Sequence, residues 1–169
     1  LSPVHPASDS DADRGAAREL DGSFNRWFLD PVFRGSYPAD AIADRVRRGH
    51  LPGPEMAFVH AGDLAEMTAP IDFLGVNYYS RMVVRAVEGE APQAVRVAPA
   101  EHLTDMGWEV SPHGLTEALL RITRVYAPHA LPVPQTPAAS TAAPGAPPPS
   151  SPPPRLSFLP PPSTPPSRA

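Results

Sequence analysis

The sequence predicts an incomplete α/β unit over residues 1–131 and a proline-rich tail over 132–169 with no packed fold of its own. Three observations carry the prediction. Apolar residues recur at steps of three and four through 11–28 and 112–126, the signature of helices with one buried face. A near-continuous apolar run at 71–79 has strand length and is rich in aromatic and β-branched side chains, which suits a parallel sheet covered on both faces. Residues 128–169 then hold 16 of the 26 prolines and none of the 18 acids.

Each element has its own local cause. The first helix starts at Asp11, capped by Ser8 or Ser10, with aspartates at its positive N-terminal end. Its stripe is Ala16, Ala17, Leu20, Phe24, Trp27 and Phe28. Asp30-Pro31 is expected to stop it, because proline disfavours the α conformation in the residue before it. The second helix opens at Pro38 and runs to Arg48, with Gly49 as its C′ residue. After a proline- and glycine-rich loop at 51–54, residues 63–68 form a turn or two before Pro70. The strand at 71–79 follows. Residues 81–87 and 94–98 alternate and are joined through Gly89, which predicts a surface hairpin. Pro112 opens the last helix, with the stripe Leu115, Leu119, Ile122 and Tyr126, and Pro128 ends it. Helix, buried strand and helix in succession is βα organisation.

The tail, from Pro132, is Pro/Ala/Ser/Thr text that cannot bury enough apolar surface to offset backbone ordering. An extended, disordered, solvated segment is the expectation. Its Pro149-x-x-Pro152 spacing suits a proline-binding domain as a lesser alternative.

Composition removes several function classes. The chain has no cysteine, so no disulfide scaffold and no thiolate nucleophile or ligand. All 14 positive charges are arginine, which leaves no Schiff-base or P-loop lysine. No apolar run approaches the ~18–20 residues that span a bilayer. The acidic body lacks the basic stripe of a nucleic-acid binder. Neither membrane nor nucleic acid is therefore expected as a partner. His5, His50, His60, His102, His113 and His129 show no ligand spacing, and no metal is assigned. No dinucleotide fingerprint, P-loop or nucleophile elbow occurs. Asp40, Asp44, Glu66 and Glu117 fall where acids solvate a helix face. The acidic, cysteine-free body suits a cytoplasmic protein. The chain opens at Leu1 with no signal-like segment, which is read as a fragment or a processed start.

The candidate chemistry is narrow. Asn77, Tyr78 and Tyr79 end the best strand, and in a parallel α/β barrel that end faces the active site. The alternative is that the tyrosines pack as ordinary strand aromatics and Asn77 starts the loop. Trp108, in the loop Met106-Gly107-Trp108-Glu109 before the last helix, is either a sugar-stacking aromatic or a cover for a core edge.

Five segments in order resemble glycoside hydrolase family 1, the β-glucosidases, over about residues 1–131. They are Leu1-Ser2-Pro3-Val4-His5-Pro6-Ala7-Ser8; Asp21-Gly22-Ser23-Phe24-Asn25-Arg26-Trp27-Phe28-Leu29-Asp30-Pro31; Arg34-Gly35-Ser36-Tyr37-Pro38; Asp72-Phe73-Leu74-Gly75-Val76-Asn77-Tyr78-Tyr79-Ser80; and Thr104-Asp105-Met106-Gly107-Trp108-Glu109-Val110. The resemblance implies part of a (β/α)8 TIM barrel, from the exit of strand five at Leu1 to Val4, through strand six at 71–79, to the helix before strand seven. It implies a retaining, cofactor-free O-glycosyl hydrolase of carbohydrate metabolism acting on a β-glucoside or related sugar. Tyr79 matches the family tyrosine whose hydroxyl contacts the nucleophile, Asn77 the asparagine beside the catalytic pair, and Trp108 an aromatic on the aglycone side.

Two departures qualify the activity. The family's acid/base motif, Thr-x-Asn-Glu-Pro, does not occur in these residues. Where the nucleophile motif is due, the chain reads Pro134-Gln135-Thr136-Pro137-Ala138-Ala139-Ser140, and no acid follows Glu117. Retaining hydrolysis needs two carboxyl groups about 5–5.5 Å apart, so no catalytic residue is assigned and the expectation is a chain inactive alone. The abrupt switch near residue 133 reads as a frameshift in GC-rich coding sequence. A non-catalytic carbohydrate-binding module, or an interaction protein using the tail, is the alternative. Docking with a separately made remainder of the barrel is a third reading, for which the sequence offers no positive sign.

Overall fold

A computed structural model describes residues 1–99, 102–104 and 106–134; the tail beyond residue 134, and its expected disorder, lie outside the described residues. The elements run β1 (Val4–Pro6), α1 (Asp11–Asp21), a π-helical segment (Gly22–Arg26), α2 (Trp27–Arg34), α3 (Ala39–Arg47), α4 (Asp63–Met67), β2 (Met82–Arg85), β3 (Gln93–Ala94) and α5 (Pro112–Tyr126).

Parallel pairing organises the strands. β1 runs parallel to β2 in the register Val4 to Met82 and Pro6 to Val84. β3 returns antiparallel along the other edge of β2, with Arg85 opposite Gln93. That is the predicted hairpin, turned through Gly89 at φ +74°, with a shorter second strand than expected. Ladder bonds also join the 74–76 stretch to 130–132: the Leu74 N–H donates to the Ala130 carbonyl and the Val76 N–H to the Pro132 carbonyl, both at 2.9 Å. Both partners advance by two in the same direction, which is parallel registration. On the other side the Leu1 nitrogen donates to the Asn77 carbonyl at 3.0 Å. The residues around Leu74–Asn77 thus lie between the chain start and 130–132.

The expected strand at 71–79 is corrected twice: the segment is extended and makes these few ladder bonds without forming a regular strand, and its burial is one-sided. Val76 and Tyr78 are 1% and 5% exposed, and Leu74 is half-buried, whereas Phe73, Gly75, Asn77 and Tyr79 are exposed. Side chains alternate across a strand, and only the face toward α5 is covered. Tyr78 fixes that packing: its hydroxyl donates to the Ser111 carbonyl at 2.7 Å, beside Gly114, where a Cβ would overlap it.

α1 starts where the sequence placed it. Ser10 is the cap, its hydroxyl accepting from the Asp13 N–H at 3.1 Å. Asp13 in turn accepts from Ser8 at 2.6 Å and from the Ala86 N–H at 2.8 Å, tying the helix start to the exit of β2. Ala16 and Ala17 pack on Val84, with Val4, Leu20 and Ala86 around them.

The end of this helical stretch differs from expectation. It does not stop at Asp30 but continues through Pro31 to Arg34, and Gly35 caps it at φ +64°. The π-helical insertion over Gly22–Arg26 rotates the buried face, since a π turn holds more residues than an α turn. Asp21, Gly22, Asn25, Leu29, Asp30 and Pro31 take the interior, while Phe24 and Phe28, expected on the stripe, are 57% and 64% exposed.

α3 and α5 lie within a residue or so of their predicted bounds, with Gly49 at φ +72° behind α3 and Ala127 closing α5. Gly22 lets α3 come close: a Cβ there would sit 3.1 Å from that of Ala41, itself fully buried.

Asp40 and Asp44 do not solvate an open face. Asp44 is 2% exposed, and both belong to a chain of ion pairs linking α1, the π segment and α3. Arg26 holds Asp40 through two bonds, of 2.8 and 2.7 Å. Arg18 reaches Asp40 and Asp44 at 2.5 and 2.9 Å. Arg47 spans Asp44 and Glu19, and Arg48 meets Glu19 at 2.7 Å. Arginine suits the role because its planar fork matches a carboxylate bidentately. Arg26, foremost, holds the Asp40 carboxyl far below its usual range.

Candidate active site

The site elements converge on one open cleft of about 500 Å³ between the end of the extended 71–79 segment, the β2–β3 hairpin and residues 103 and 107–109. Its wall includes Phe24, Tyr79, Arg81, Val95, Trp108 and Glu109.

Local sequence places the Trp108 loop. The Gly107 N–H donates to the Thr104 carbonyl at 2.8 Å, and the Thr104 N–H donates to the Trp108 carbonyl at 2.8 Å. The Trp108 N–H donates to the Thr104 hydroxyl at 3.1 Å. Gly107 turns with φ +77°, a conformation a side chain would strain. Leu103 and Glu109 then face each other in an antiparallel bridge. The result presents the indole edge-on to Tyr79, with ring centroids 5.5 Å apart and planes at 70°.

Of the three expected site residues, the structure brings two together. Tyr79 and Trp108 share the cleft and are 38% and 40% exposed. Asn77 lies on the same uncovered strand face, one alternation before Tyr79, with its carbonyl bonded to Leu1; it is not among the residues lining this cleft.

Three wall residues escaped the sequence reading. Phe24 was assigned to a buried stripe, and only the π insertion turns it outward. Arg81 and Glu109 carry no local signal of pairing, being 28 residues apart, yet they form a bidentate ion pair of 2.8 and 2.9 Å. The Arg81 guanidinium holds the Glu109 carboxyl below its ordinary value. An ionised carboxylate accepts hydrogen bonds but has no proton to give, so Glu109 is an acceptor here and not a general acid. It is the one carboxylate among the described residues that line the cleft.

Behind the site, Asn25 ties the helices to the chain start. Its amide donates to the Ser2 carbonyl and to Asp21, each at 2.9 Å, and it is 5% exposed. Asp21 also accepts from Arg26 at 3.0 Å. Burial alone would raise the Asp21 carboxyl, but Arg121, Asn25 and Arg26 outweigh it and lower it. Tyr126 donates to Asp30 at 2.5 Å, joining α5 to α2, and burial together with that partner pushes its phenol well up.

Comparison with known proteins names the family. The family model for glycosyl hydrolase family 1 matches residues 1–136. The chain belongs to that family. It is 32% identical over 143 residues to β-glucosidase A of Acetivibrio thermocellus, covering 82% of this chain and 31% of that protein. Among solved structures it superposes on the AHE enzyme from Alicyclobacillus herbarius with a TM-score of 0.74 and 34% identity, over 83% of this chain and 30% of that one. Virulence factor SghA of Agrobacterium tumefaciens, in complex with its substrate analogue salicin, matches with a TM-score of 0.63 and 34% identity, over 78% and 28%. The chain therefore spans less than a third of the length of these relatives. Its structural neighbours include TIM-barrel β-glucosidases.

Proposed function

We propose that these residues form part of a retaining β-glucosidase barrel and supply the supporting wall of its glycoside cleft without the carboxylate pair. In this reading Leu1 to Val4 is the exit of the fifth strand, 71–79 the sixth, and 130–132 the start of the seventh. Residues 1–132 are then the barrel part, one residue past the boundary expected at 131, and the proline-rich remainder stands apart from it.

The observation that carries the reading is the alternation at the strand end. Val76 and Tyr78 are buried, with Tyr78 locked to α5, while Asn77 and Tyr79 occupy the opposite face at the C-terminal end of a parallel strand. That is where barrel enzymes place substrate-contacting groups. The edge-to-face Tyr79–Trp108 pair at 5.5 Å adds an apolar corner for a sugar ring or its leaving group.

The chemistry available is binding and orientation. The Tyr79 hydroxyl can stabilise a carboxylate or a sugar oxygen by hydrogen bonding, but it cannot replace the carboxylate. Glu109 is held ionised by Arg81, and no second carboxylate lines the cleft among the described residues. A displacement in two inverting steps needs both a nucleophile and an acid that later acts as base. A β-glucoside is thus held here and not cleaved by the 169 residues alone.

The test is a titration of the chain with salicin, followed by tryptophan fluorescence. A saturable change that W108F abolishes and W27F preserves supports the reading. A flat titration in the folded chain removes it.

A further inference from the structure

Three consecutive ties join the strand end at 78–81 to the segment 108–111. The Tyr78 hydroxyl donates to the Ser111 carbonyl at 2.7 Å. Tyr79 meets Trp108 ring to ring. The Arg81 Nε and Nη2 donate to the two oxygens of Glu109 at 2.8 and 2.9 Å. Along 78–81 the aromatic contact falls between the two polar ties, and along 108–111 Trp108 lies directly beside the Glu109 tie.

The backbone of the Trp108 loop is set by Thr104 and Gly107, but backbone bonds do not choose where the indole lies relative to Tyr79. Glu109 is the residue next to Trp108, and Arg81 is two beyond Tyr79. A bidentate pair constrains both distance and plane, which a single hydrogen bond or a lysine would not. The side chains of Arg81 and Glu109 are 31% and 20% exposed, so the pair is partly shielded from the screening that weakens surface bridges.

We propose that Arg81 and Glu109 are positioning residues: their bidentate pair latches the Trp108 loop onto the strand end and so sets the position of the indole against Tyr79 in the cleft. The proposal deepens the sugar-cleft reading and names two residues for it, neither of which contacts the sugar. Arg81, the main influence on the Glu109 carboxyl, keeps it ionised well into acid, so the latch is closed at neutral pH.

The test reads Trp108 directly. The chain is labelled with fluorotryptophan and its two fluorine resonances are assigned with W27F and W108F. E109Q and R81M are then each expected to move and broaden the Trp108 resonance toward that of free fluorotryptophan, leaving Trp27 in place and far-ultraviolet circular dichroism unchanged. The double variant R81M/E109Q is expected to go no further than either single change, since removing either partner opens the same latch. An unmoved Trp108 resonance in E109Q overturns the proposal, and so do additive shifts. Should R81M lose its fold, E109Q, nearly identical in shape, decides alone. Failure of the sugar-cleft reading looks different: salicin then leaves the wild-type Trp108 resonance untouched while the variants still shift it.

Discussion

Arg121 of α5 donates both terminal nitrogens to the two oxygens of Asp21, each at 2.7 Å, across one hundred residues of sequence. The pair binds the last helix to the start of the π segment, and Asn25 carries the tie on to Ser2. One carboxylate thus connects α1 and α5, through Asn25, to the chain start just ahead of β1. Asp21 is 8% exposed, so a lost partner leaves a desolvated charge short of hydrogen bonds. R121M is expected to destabilise the fold by roughly 1.5–3 kcal/mol. The lower end is favoured because the Arg121 side chain is itself 39% exposed. Urea unfolding checks this as a shifted midpoint at constant slope.

Gly114 is expected to resist substitution. A methyl there overlaps the Tyr78 hydroxyl, which cannot swing away because it is buried and bonded to Ser111. Overpacking of this kind costs about 1–3 kcal/mol, and G114A should show it as a lowered thermal midpoint. Y78F/G114A is expected to recover part of the loss, since the hydroxyl is the nearest atom in the way.

Acid lability should follow from the ion-pair chain. Arg26 foremost lowers the Asp40 carboxyl, the Arg121 pair helps lower that of Asp21, and Arg81 lowers that of Glu109. A carboxyl whose folded pKa lies below its unfolded one gives stability that is fully present above the unfolded value, 3.8 for Asp40, and is lost as pH falls through the folded value. The thermal midpoint is therefore expected to be flat from neutral pH down to about pH 5 and to fall below that. D40N should start lower at neutral pH and show a shallower acid slope; an acid slope equal to wild type contradicts the assignment.

Exposed aromatics should make the chain associate. Phe28 and Phe73 are 64% and 60% exposed on the outer turn of α2 and on the uncovered strand face, and unpartnered apolar surface of this kind drives self-association. Light scattering is expected to rise with protein concentration, and F28S/F73S to reduce it without changing the far-ultraviolet spectrum.

Much of the fold could be read from local chemistry. Pro38 with Gly49 and Pro112 with Pro128 bracket α3 and α5 because proline and glycine act on the backbone at their own positions. The π insertion left no comparable mark: Gly22 to Arg26 reads as ordinary helix, and the one-residue change of register that exposes Phe24 and Phe28 depends on tertiary packing of Gly22 against Ala41. The 71–79 run shows the same limit, since its composition suits burial on two faces and the chain covers only one. Asp44 was taken for a solvated acid because its arginine partners, apart from the nearby Arg47, lie on another helix. At the site, Tyr79 and Trp108 were each visible as residue types in telling places, but their contact was not. The Arg81–Glu109 pair had no local signal, because nothing in a sequence reports a contact across a cleft.

The measurement that bears most directly on the account is hydrolysis of p-nitrophenyl β-D-glucoside by the 169-residue chain, with salicin binding measured on the same preparation. The account predicts saturable salicin binding and no nitrophenol release above the buffer rate, in wild type and E109Q alike. Release by the wild-type chain that E109Q abolishes would contradict it, because Glu109 would then be acting as a catalytic carboxylate and not as the partner of Arg81.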